Sequence, residues 1–258
     1  MTKLAANISM MFTEVDFLDR FEVAAKAGFK GVEYLFPYDY PAEQIKEKLD
    51  QNALTQVLFD FPAGDWDVGE RGIGALPDRI GEFQDGVGTA IEYARVLECE
   101  RLTVLAGKTN SSKTDVAMQQ TLINNLKFAS NAVADTNTTI LLEAINTIDI
   151  PGYYVSHTDQ SRAAVEAAEA DNVKVQYDVY HMQIMEGDLH VTVKENLSSI
   201  KHIQIADNPG RNEPGTGEIN YNHLLPHLDA IGYSGWVGCE YGPSGNTEQT
   251  LGWASPWL

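Results

Sequence analysis

The chain has 258 residues, of which 43% are hydrophobic and 21% charged, as in an ordinary globular protein and unlike a disordered or collagen-like chain. That length suits a single α/β barrel domain whose core is large enough to fold without disulfide bonds. The formal net charge of −19 repels phosphate backbones and anionic lipid surfaces, so we expect no nucleic-acid partner and no membrane partner.

The first residues do not resemble an export signal. Asn7 and Ser9 interrupt the apolar run that such a signal needs, and no later stretch is long enough to span a bilayer. The two cysteines, Cys99 and Cys239, fall on separate predicted elements, and Cys239 is expected to be a small buried side chain that faces the helices. We therefore expect a protein of the reducing cytoplasm.

Short strand-forming runs alternate with helical patterns at about 25–35 residues per repeat, which is typical of βα units in a parallel sheet. Helical spacing is clear before Gly28, a predicted C-cap, and residues 111–114 and 156–159 offer N-caps to the fourth and fifth helices. Eight strands with eight helices, and no glycine-rich phosphate loop after the first strand, predict a single (β/α)8 TIM barrel over residues 1–258. The strands are predicted at residues 4–9, 31–36, 54–59, 101–106, 139–143, 173–178, 202–206 and 236–240.

Two predicted loops, residues 62–77 and 208–220, are longer than the rest. Both follow strands and so lie on the C-terminal face of the barrel, where barrel enzymes build their sites. Arg71 lies in the first loop, Lys108 follows the fourth strand and Arg211 lies in the second loop. In an acidic protein, bases on this face are candidates to bind a substrate carboxylate, and solvated surface charge is the alternative.

An oxygen-bearing side chain stands at or near the end of each of the last four strands: Glu143, Asp178, Gln204 and Glu240. Burying a carboxylate costs several kcal/mol unless it is paired or bound to a metal. One divalent cation would relieve the repulsion among three such carboxylates, and an all-oxygen set favours Mg²⁺ or Mn²⁺ over zinc. The alternative is that each acid only begins the next helix, where negative charge complements the helix dipole.

Two histidines lie close to these strand ends. His181 follows Asp178 by three residues, and His202 lies two residues before Gln204, on the same face of its strand. Each is a candidate for substrate contact, with packing as the alternative. Only six histidines occur in the chain, which argues against a multi-zinc site.

Several longer segments carry a more specific resemblance. They are GDW at 64–66, GERG at 69–72, DIPG at 149–152, QYDVYHMQ at 176–183, QIADNP at 204–209, EPGTGEINY at 213–221 and GWVGCEY at 235–241. Together they resemble the hydroxypyruvate isomerase family of the xylose isomerase-like barrels, over nearly the whole chain.

The resemblance implies one divalent metal ion held by Glu143, Asp178, Gln204 and Glu240. Related ketose epimerases usually carry histidine where this chain has Gln204. The implied reaction interconverts hydroxypyruvate and tartronate semialdehyde. The similar 2-oxo-tetronate isomerases share the motifs and are the near alternative, and a ketose 3-epimerase is a more distant one. Family members often carry a lysine where this chain has Gly242, so another base would have to hold the substrate carboxylate.

This reaction moves a proton between adjacent carbons of a small hydroxy-carbonyl acid. We expect Glu143 and Glu240 to transfer it. The predicted substrate contacts are Arg71, Lys108, His181 and Arg211. Two other classes stay open: a metal-dependent DNA-repair endonuclease, which the net charge and the few histidines disfavour, and a non-catalytic barrel that binds a ligand. A homo-oligomer is compatible with the sequence.

Overall fold

The computed structural model describes residues 2–109 and 114–258, which form a closed barrel of eight parallel strands in the order β1 to β8. The predicted (β/α)8 barrel is therefore confirmed. The strands are β1 (Lys3–Asn7), β2 (Gly31–Glu33), β3 (Thr55–Asp60), β4 (Arg101–Val104), β5 (Thr139–Glu143), β6 (Val173–Asp178), β7 (Ile200–Ile205) and β8 (Trp236–Cys239). The helices are α1 (Phe17–Lys26), α2 (Ala42–Gln51), α3 (Ile80–Leu97), α4 (Asp115–Ala132), α5 (Thr158–Ala167), α6 (Val179–Met185), α7 (Leu189–Asn196), α8 (Tyr221–Ala230) and α9 (Thr247–Thr250).

The strand boundaries differ from the predicted ones by up to three residues. β2 stops at Glu33 instead of residue 36, and β3 continues to Asp60. β8 stops at Cys239, but the N–H of Glu240 still donates to the carbonyl of Ile205 on β7 (3.0 Å), so Glu240 keeps the direction of its strand. These shifts leave all the predicted strand-end side chains on the same face of the barrel.

Among the described residues there is one helix more than the predicted eight, because two helices, α6 and α7, connect β6 to β7. The extra helix arises where Asp178 ends β6 and immediately caps α6. The predicted capping segment 111–114 is represented by Thr114, whose side chain accepts from the N–H of Ala117 (3.2 Å); residues 111–113 lie outside the described residues. Gly28 follows α1 with φ +107°, as expected at a C-cap.

Most of the apolar core lies between the strands and the surrounding helices. Cys239 belongs to this layer and is fully buried, as predicted, and burial raises the pKa of its thiol well above the usual value. A smaller apolar cluster of Ala5, Val57, Leu58 and Leu141 packs against Trp236 nearer the start of the strands. The buried polar side chains of the site lie beyond this cluster, towards the C-terminal ends of the strands.

The loop over residues 62–77 lies directly against β4. Gly72 has φ +106°, and a Cβ there would come within 2.3 Å of the carbonyl oxygen of Leu105, so only glycine allows this approach. Gly72 also forms an isolated bridge with Ala106. The long predicted loop is thus fixed to the barrel rim. Within the part of the chain that the structure describes, every helix is too short or too polar to cross a bilayer.

Candidate active site

Four titratable side chains meet at the C-terminal ends of β5, β6 and β8. Glu143 ends β5, Asp178 ends β6 and Glu240 follows β8, while His181 lies in the first turn of α6. One ligand atom from each lies within 4.8 Å of those of the other three, and all four side chains are buried or nearly so. The structure therefore brings together three of the four predicted metal ligands and one predicted substrate contact.

The carboxylates of this cluster are not satisfied by the protein. Glu143 Oε1 and Asp178 Oδ2 are buried without a hydrogen-bond partner among the described side chains and backbone. Burial first, and then the charges of Glu240 and Asp178, raise the pKa of Glu143 well above the usual range. Burial raises the pKa of Glu240 to about 8, although the nearby Arg211 opposes the shift. This cluster of buried acids could therefore hold a metal ion.

Asp178 fits both roles considered from the sequence, that of a metal ligand and that of a residue that begins the next helix. Its Oδ1 accepts from the backbone N–H groups of Tyr180 (2.7 Å) and His181 (3.2 Å), as an N-cap of α6 does. Its Oδ2 is the unpartnered oxygen that faces the cluster. Helix capping therefore fixes the orientation of this carboxylate and leaves one oxygen available.

Arg211 lies inside the cluster. Its Nη2 donates to Glu240 Oε2 (2.7 Å) and lies 3.7 Å from Asp178 Oδ2, and its guanidinium lies 5.3 Å from the ring centroid of Tyr180. The carbonyl of Arg211 accepts from the N–H of Gly242 (3.0 Å), so the loop over residues 208–220 packs against the segment that follows β8. A Cβ at Gly242, the position where family members often carry a lysine, would meet no atom within 4 Å, so the fold leaves room for a side chain there.

The hydrogen bonds of Asn146 determine which ring nitrogen of His181 carries the proton. Asn146 Oδ1 accepts from the backbone N–H groups of Ile148 and Asp149, so its Nδ2 is the atom that faces His181 Nδ1 (2.7 Å) and donates to it. Burial lowers the pKa of His181 to about 4, so the ring is neutral near pH 7. A neutral ring that accepts at Nδ1 carries its proton on Nε2, so the 3.4 Å approach of Arg211 Nη2, itself a donor, to Nε2 is a contact and not a hydrogen bond. His181 therefore offers an N–H to the cluster, and the oxygens remain as the metal-ligating atoms.

Gln204, the fourth predicted ligand, lies in a hydrogen-bonded layer next to this cluster. Its Nε2 donates to Glu33 Oε1 (2.8 Å), and its Oε1 accepts from Gln176 Nε2 (2.6 Å). His202 Nε2 lies 2.7 Å from the other oxygen of Glu33. His202 is fully buried and bonded to Glu33, which matches the packing alternative for this residue.

Arg71 and Lys108 hold the loop over residues 62–77. Arg71 Nη1 donates to the carbonyls of Trp66 (2.9 Å) and Glu70 (2.6 Å), and its guanidinium lies 4.1 Å from the Trp66 ring centroid. Lys108 Nζ donates to the carbonyl of Gly69 (2.8 Å). Both bases lie on the predicted face with loop carbonyls as partners, and their contact with substrate stays a prediction.

Three residues near the site were missed in the sequence. Glu33 and Asp60 are buried acids at the ends of β2 and β3, the same signal that identified the later strand ends. Burial, followed by the charges of Glu240 and Glu33, raises the pKa of Asp60 well above the usual range. Asn146 carries no comparable signal, because its role depends on the ring of His181 on another element.

Comparison with known proteins gives a family match over most of the chain. The family described as Xylose isomerase-like TIM barrel matches residues 21–257. The chain is 47% identical to hydroxypyruvate isomerase of Escherichia coli (strain K12), with 100% of both chains covered. It is 46% identical to 2-oxo-tetronate isomerase of Cupriavidus necator, with 100% of this chain and 99% of the relative covered.

Solved structures share the barrel. A crystal structure described as AP endonuclease, family 2, from Brucella melitensis is 46% identical, with a TM-score of 0.98 and coverage of 100% of this chain and 99% of that chain. The 3-keto-D-glucoside 4-epimerase of E. coli has a TM-score of 0.81 at 19% identity, with 99% of each chain covered, and at that identity it supports the fold alone.

Proposed function

This chain belongs to the xylose isomerase-like TIM barrel family, and we propose that it is a metal-dependent isomerase that interconverts hydroxypyruvate and tartronate semialdehyde. It is an isomerase of the sugar-acid type, in line with its full-length relatives of 46–47% identity. The observation that carries the finer proposal is the cluster of three buried carboxylates, two of which keep an unpartnered oxygen at the barrel mouth.

The side chains of the cluster fit one divalent cation. Glu143, Asp178 and Glu240, when ionised, exceed the positive charge of Arg211 by two, and a divalent ion would balance that excess. Oxygen ligands favour Mg²⁺ or Mn²⁺. Gln204 would complete the set through Oε1, because a carbonyl oxygen that accepts from Gln176 keeps a second lone pair.

When bound, the cation would supply Lewis-acid stabilisation of negative charge on the substrate oxygens. Glu143 and Glu240 move the proton. One removes a proton from the hydroxymethyl carbon of hydroxypyruvate and leaves an enediolate, and the other delivers a proton to the neighbouring carbon. The former hydroxymethyl carbon becomes the aldehyde and its neighbour becomes the carbinol. The hydroxyl proton passes from one oxygen to the other, so no atom is gained or lost.

Two further side chains would position the substrate. His181 presents Nε2–H to the cluster and would donate to a substrate oxygen, a role that a neutral ring can fill throughout the neutral pH range. Arg211 would pair with the substrate carboxylate from its place beside Glu240. A 2-oxo-tetronate is the alternative substrate, supported by the relative from Cupriavidus necator.

Proton NMR of the purified protein with Mg²⁺ or Mn²⁺ tests the reaction directly. With hydroxypyruvate or a 2-oxo-tetronate as substrate, we expect interconversion to the isomer and incorporation of deuterium from heavy water into the product. Conversion of the 2-oxo-tetronate alone would move the proposal to that substrate. Metal binding without conversion of either acid would favour the non-catalytic barrel, and transfer without any exchange would favour a hydride shift over the two glutamates.

Removing the metal tests the proposed ligands. A chelator should abolish turnover and Mg²⁺ or Mn²⁺ should restore it, since the proposed ligands are all oxygens. The main effect of Asp178→Asn should be a weaker affinity for the metal ion. Full turnover in a metal-free preparation would contradict the site, and normal metal binding by Asp178→Asn would remove Asp178 from it.

The relative described as an AP endonuclease calls for a separate test. A nuclease needs a basic groove for its phosphate backbone, whereas this chain carries a net charge of −19. We expect no cleavage of duplex DNA that contains an abasic site, at low salt with Mg²⁺ or Mn²⁺. Cleavage that disappears in Asp178→Asn would replace the isomerase proposal.

The cytoplasmic location and the homo-oligomer stay predictions.

A further inference from the structure

Three of the six histidines lie together in the outer helix layer, apart from the carboxylate cluster. His190 is on α7, and His223 and His227 are on α8. Residues four apart share one face of a helix, so His223 and His227 both face α7. His190 and His223 are exposed, while His227 is 9% exposed. The mechanism proposed above uses none of them.

The ring of His190 contacts both of the other rings. His190 Nδ1 lies 3.0 Å from His223 Nε2, and one of these nitrogens must accept the proton of the other. The ring of His190 stacks on that of His227, with centroids 3.5 Å apart. His227 Nε2 lies 3.0 Å from the carbonyl oxygen of His190, to which only an N–H can donate. His227 therefore fixes both the backbone and the ring of His190.

We propose that His190 Nδ1 and His223 Nε2 form a binding site for a divalent transition-metal ion of the Cu²⁺ or Ni²⁺ type, with water in the remaining positions. The ion takes the place of the proton that the two nitrogens share. With metal–nitrogen bonds of about 2.0–2.1 Å, a separation of 3.0 Å corresponds to an angle at the metal of about 95°. That angle is close to the cis angle of a square-planar or octahedral ion and narrower than the tetrahedral angle that zinc prefers.

The chemistry of this site separates it from the carboxylate cluster. Imidazole nitrogens suit Cu²⁺, Ni²⁺ and Zn²⁺, while the carboxylate oxygens at the barrel mouth suit Mg²⁺ and Mn²⁺. His227 is a positioning residue, because its Nε2 is already bonded to the carbonyl of His190.

Cu²⁺ titration of the full-length, untagged protein tests the proposal, and because Cu²⁺ also binds oxygen ligands more tightly than Mg²⁺ does, a parallel titration of Asp178→Asn identifies any Cu²⁺ held by the carboxylate cluster. We expect one equivalent of Cu²⁺ whose electron paramagnetic resonance spectrum shows coupling to two imidazole nitrogens. His190→Ala and His223→Ala should each lose this species. His157→Ala removes a histidine on α5's N-terminal side, outside the cluster, and should keep it.

His227→Phe separates ligation from positioning. Phenylalanine keeps a ring against His190 but cannot donate to its carbonyl, so Cu²⁺ affinity should fall about tenfold while the two-nitrogen spectrum remains. Unchanged affinity in His227→Phe would contradict the positioning role. An unchanged spectrum in His223→Ala, an equal loss in His157→Ala, or a spectrum with oxygen ligands alone would each overturn the site.

Discussion

The barrel interior contains two polar layers, which differ in whether their carboxylate oxygens have hydrogen-bond partners. The lower layer consists of Asn7, Glu33, Gln176, His202 and Gln204, and the upper layer of Glu143, Asp178, His181, Arg211 and Glu240. In the lower layer both oxygens of Glu33 are bonded, Oε1 to Asn7 (3.2 Å) and Gln204, and Oε2 to His202. In the upper layer Glu143 and Asp178 each keep a buried oxygen without a partner.

The difference assigns the layers different tasks. The backbone makes room for the Glu33 carboxylate, since a Cβ at Gly238 would lie 2.3 Å from its oxygens. His202 Nδ1 is the one atom of the five lower side chains described above that lacks a partner. A layer whose donors and acceptors match stabilises the fold, and a layer that leaves charges unmatched is kept for a ligand. The lower layer also holds the amide of Gln204 in place below the proposed metal position.

Neutralising one acid of the upper layer should have the largest effect, a loss of turnover without a loss of stability in the metal-free protein. Glu143→Gln and Glu240→Gln should each lower kcat by about 100-fold or more, the usual result of removing a positioned acid or base. In a chelator their melting temperatures should equal or exceed that of the wild type, because one of the repelling charges is gone. Steady-state kinetics and calorimetry measure both quantities.

Glu92→Gln is the matched control, since Glu92 is exposed on α3. Its kcat and melting temperature should stay at wild-type values. Near-normal turnover in Glu143→Gln or Glu240→Gln would remove that residue from proton transfer. A large loss of stability in chelator would mean that the upper layer serves the fold as the lower layer does.

The same change in the lower layer should instead destabilise the protein. Glu33→Gln removes the charge that His202, Gln204 and Asn7 bond to, and hydrogen bonds to a charged group contribute about 1.5–3 kcal/mol. Urea unfolding should show a loss of that size in the free energy of unfolding, against no change in Glu92→Gln. A Glu33→Gln protein as stable as the wild type would end the distinction between the layers.

The sequence predicted the upper layer better than the lower one for a physical reason. Acids at successive strand ends are visible one strand at a time, because the carboxyl ends of parallel strands meet on one face. Glu33 and His202 are 169 residues apart, and only the closure of the barrel brings them together. The strands themselves were predictable from their apolar runs, while the end of β2 at Glu33 and the helix α6 were not.

The orientation of individual side-chain atoms could not be predicted from the sequence either. The proton position on His181 depends on the amide of Asn146, which in turn depends on two backbone N–H groups of its own turn. Arg211 was predicted as a substrate contact, but its place between Glu240 and Asp178 follows from the packing of its loop on the segment after β8. Such details depend on tertiary contacts and not on local pattern.

Arg71 tests whether the substrate reaches beyond the upper layer to the loop over residues 62–77. If it pairs with the substrate carboxylate, Arg71→Ala should lower kcat/KM by about ten- to a hundredfold, since such a pair contributes about 1.5–3 kcal/mol. Metal affinity should not change. Arg95→Ala, at an exposed position of α3, is the control. Kinetics within twofold of the wild type would show that Arg71 only braces the loop through the carbonyls of Trp66 and Glu70.

The smallest expected effect is a pH dependence of the stabilisation by metal, and it distinguishes the layers without a mutation. The pKa of Glu240 is about 8 in the folded chain against 4.5 as its ordinary value, so the folded state holds a proton that the unfolded state releases. The contribution of Glu240 to stability is complete below 4.5 and is lost as the pH rises through about 8. In a chelator the melting temperature should therefore fall over this window.

Metal binding needs ionised carboxylates, so the stabilisation by Mg²⁺ should grow over the same pH range, by a few degrees in melting temperature. Glu240→Gln should flatten the decline seen in chelator, because the titrating group is gone. Glu92→Gln should retain it, since Glu92 is exposed on α3, outside the upper layer. A difference between the Mg²⁺ and chelator curves that stays constant from acid to alkaline pH would mean that the upper carboxylates are already ionised without metal. The unmatched charge of that layer would then have to be balanced by Arg211 and the surrounding dipoles instead of by a divalent ion.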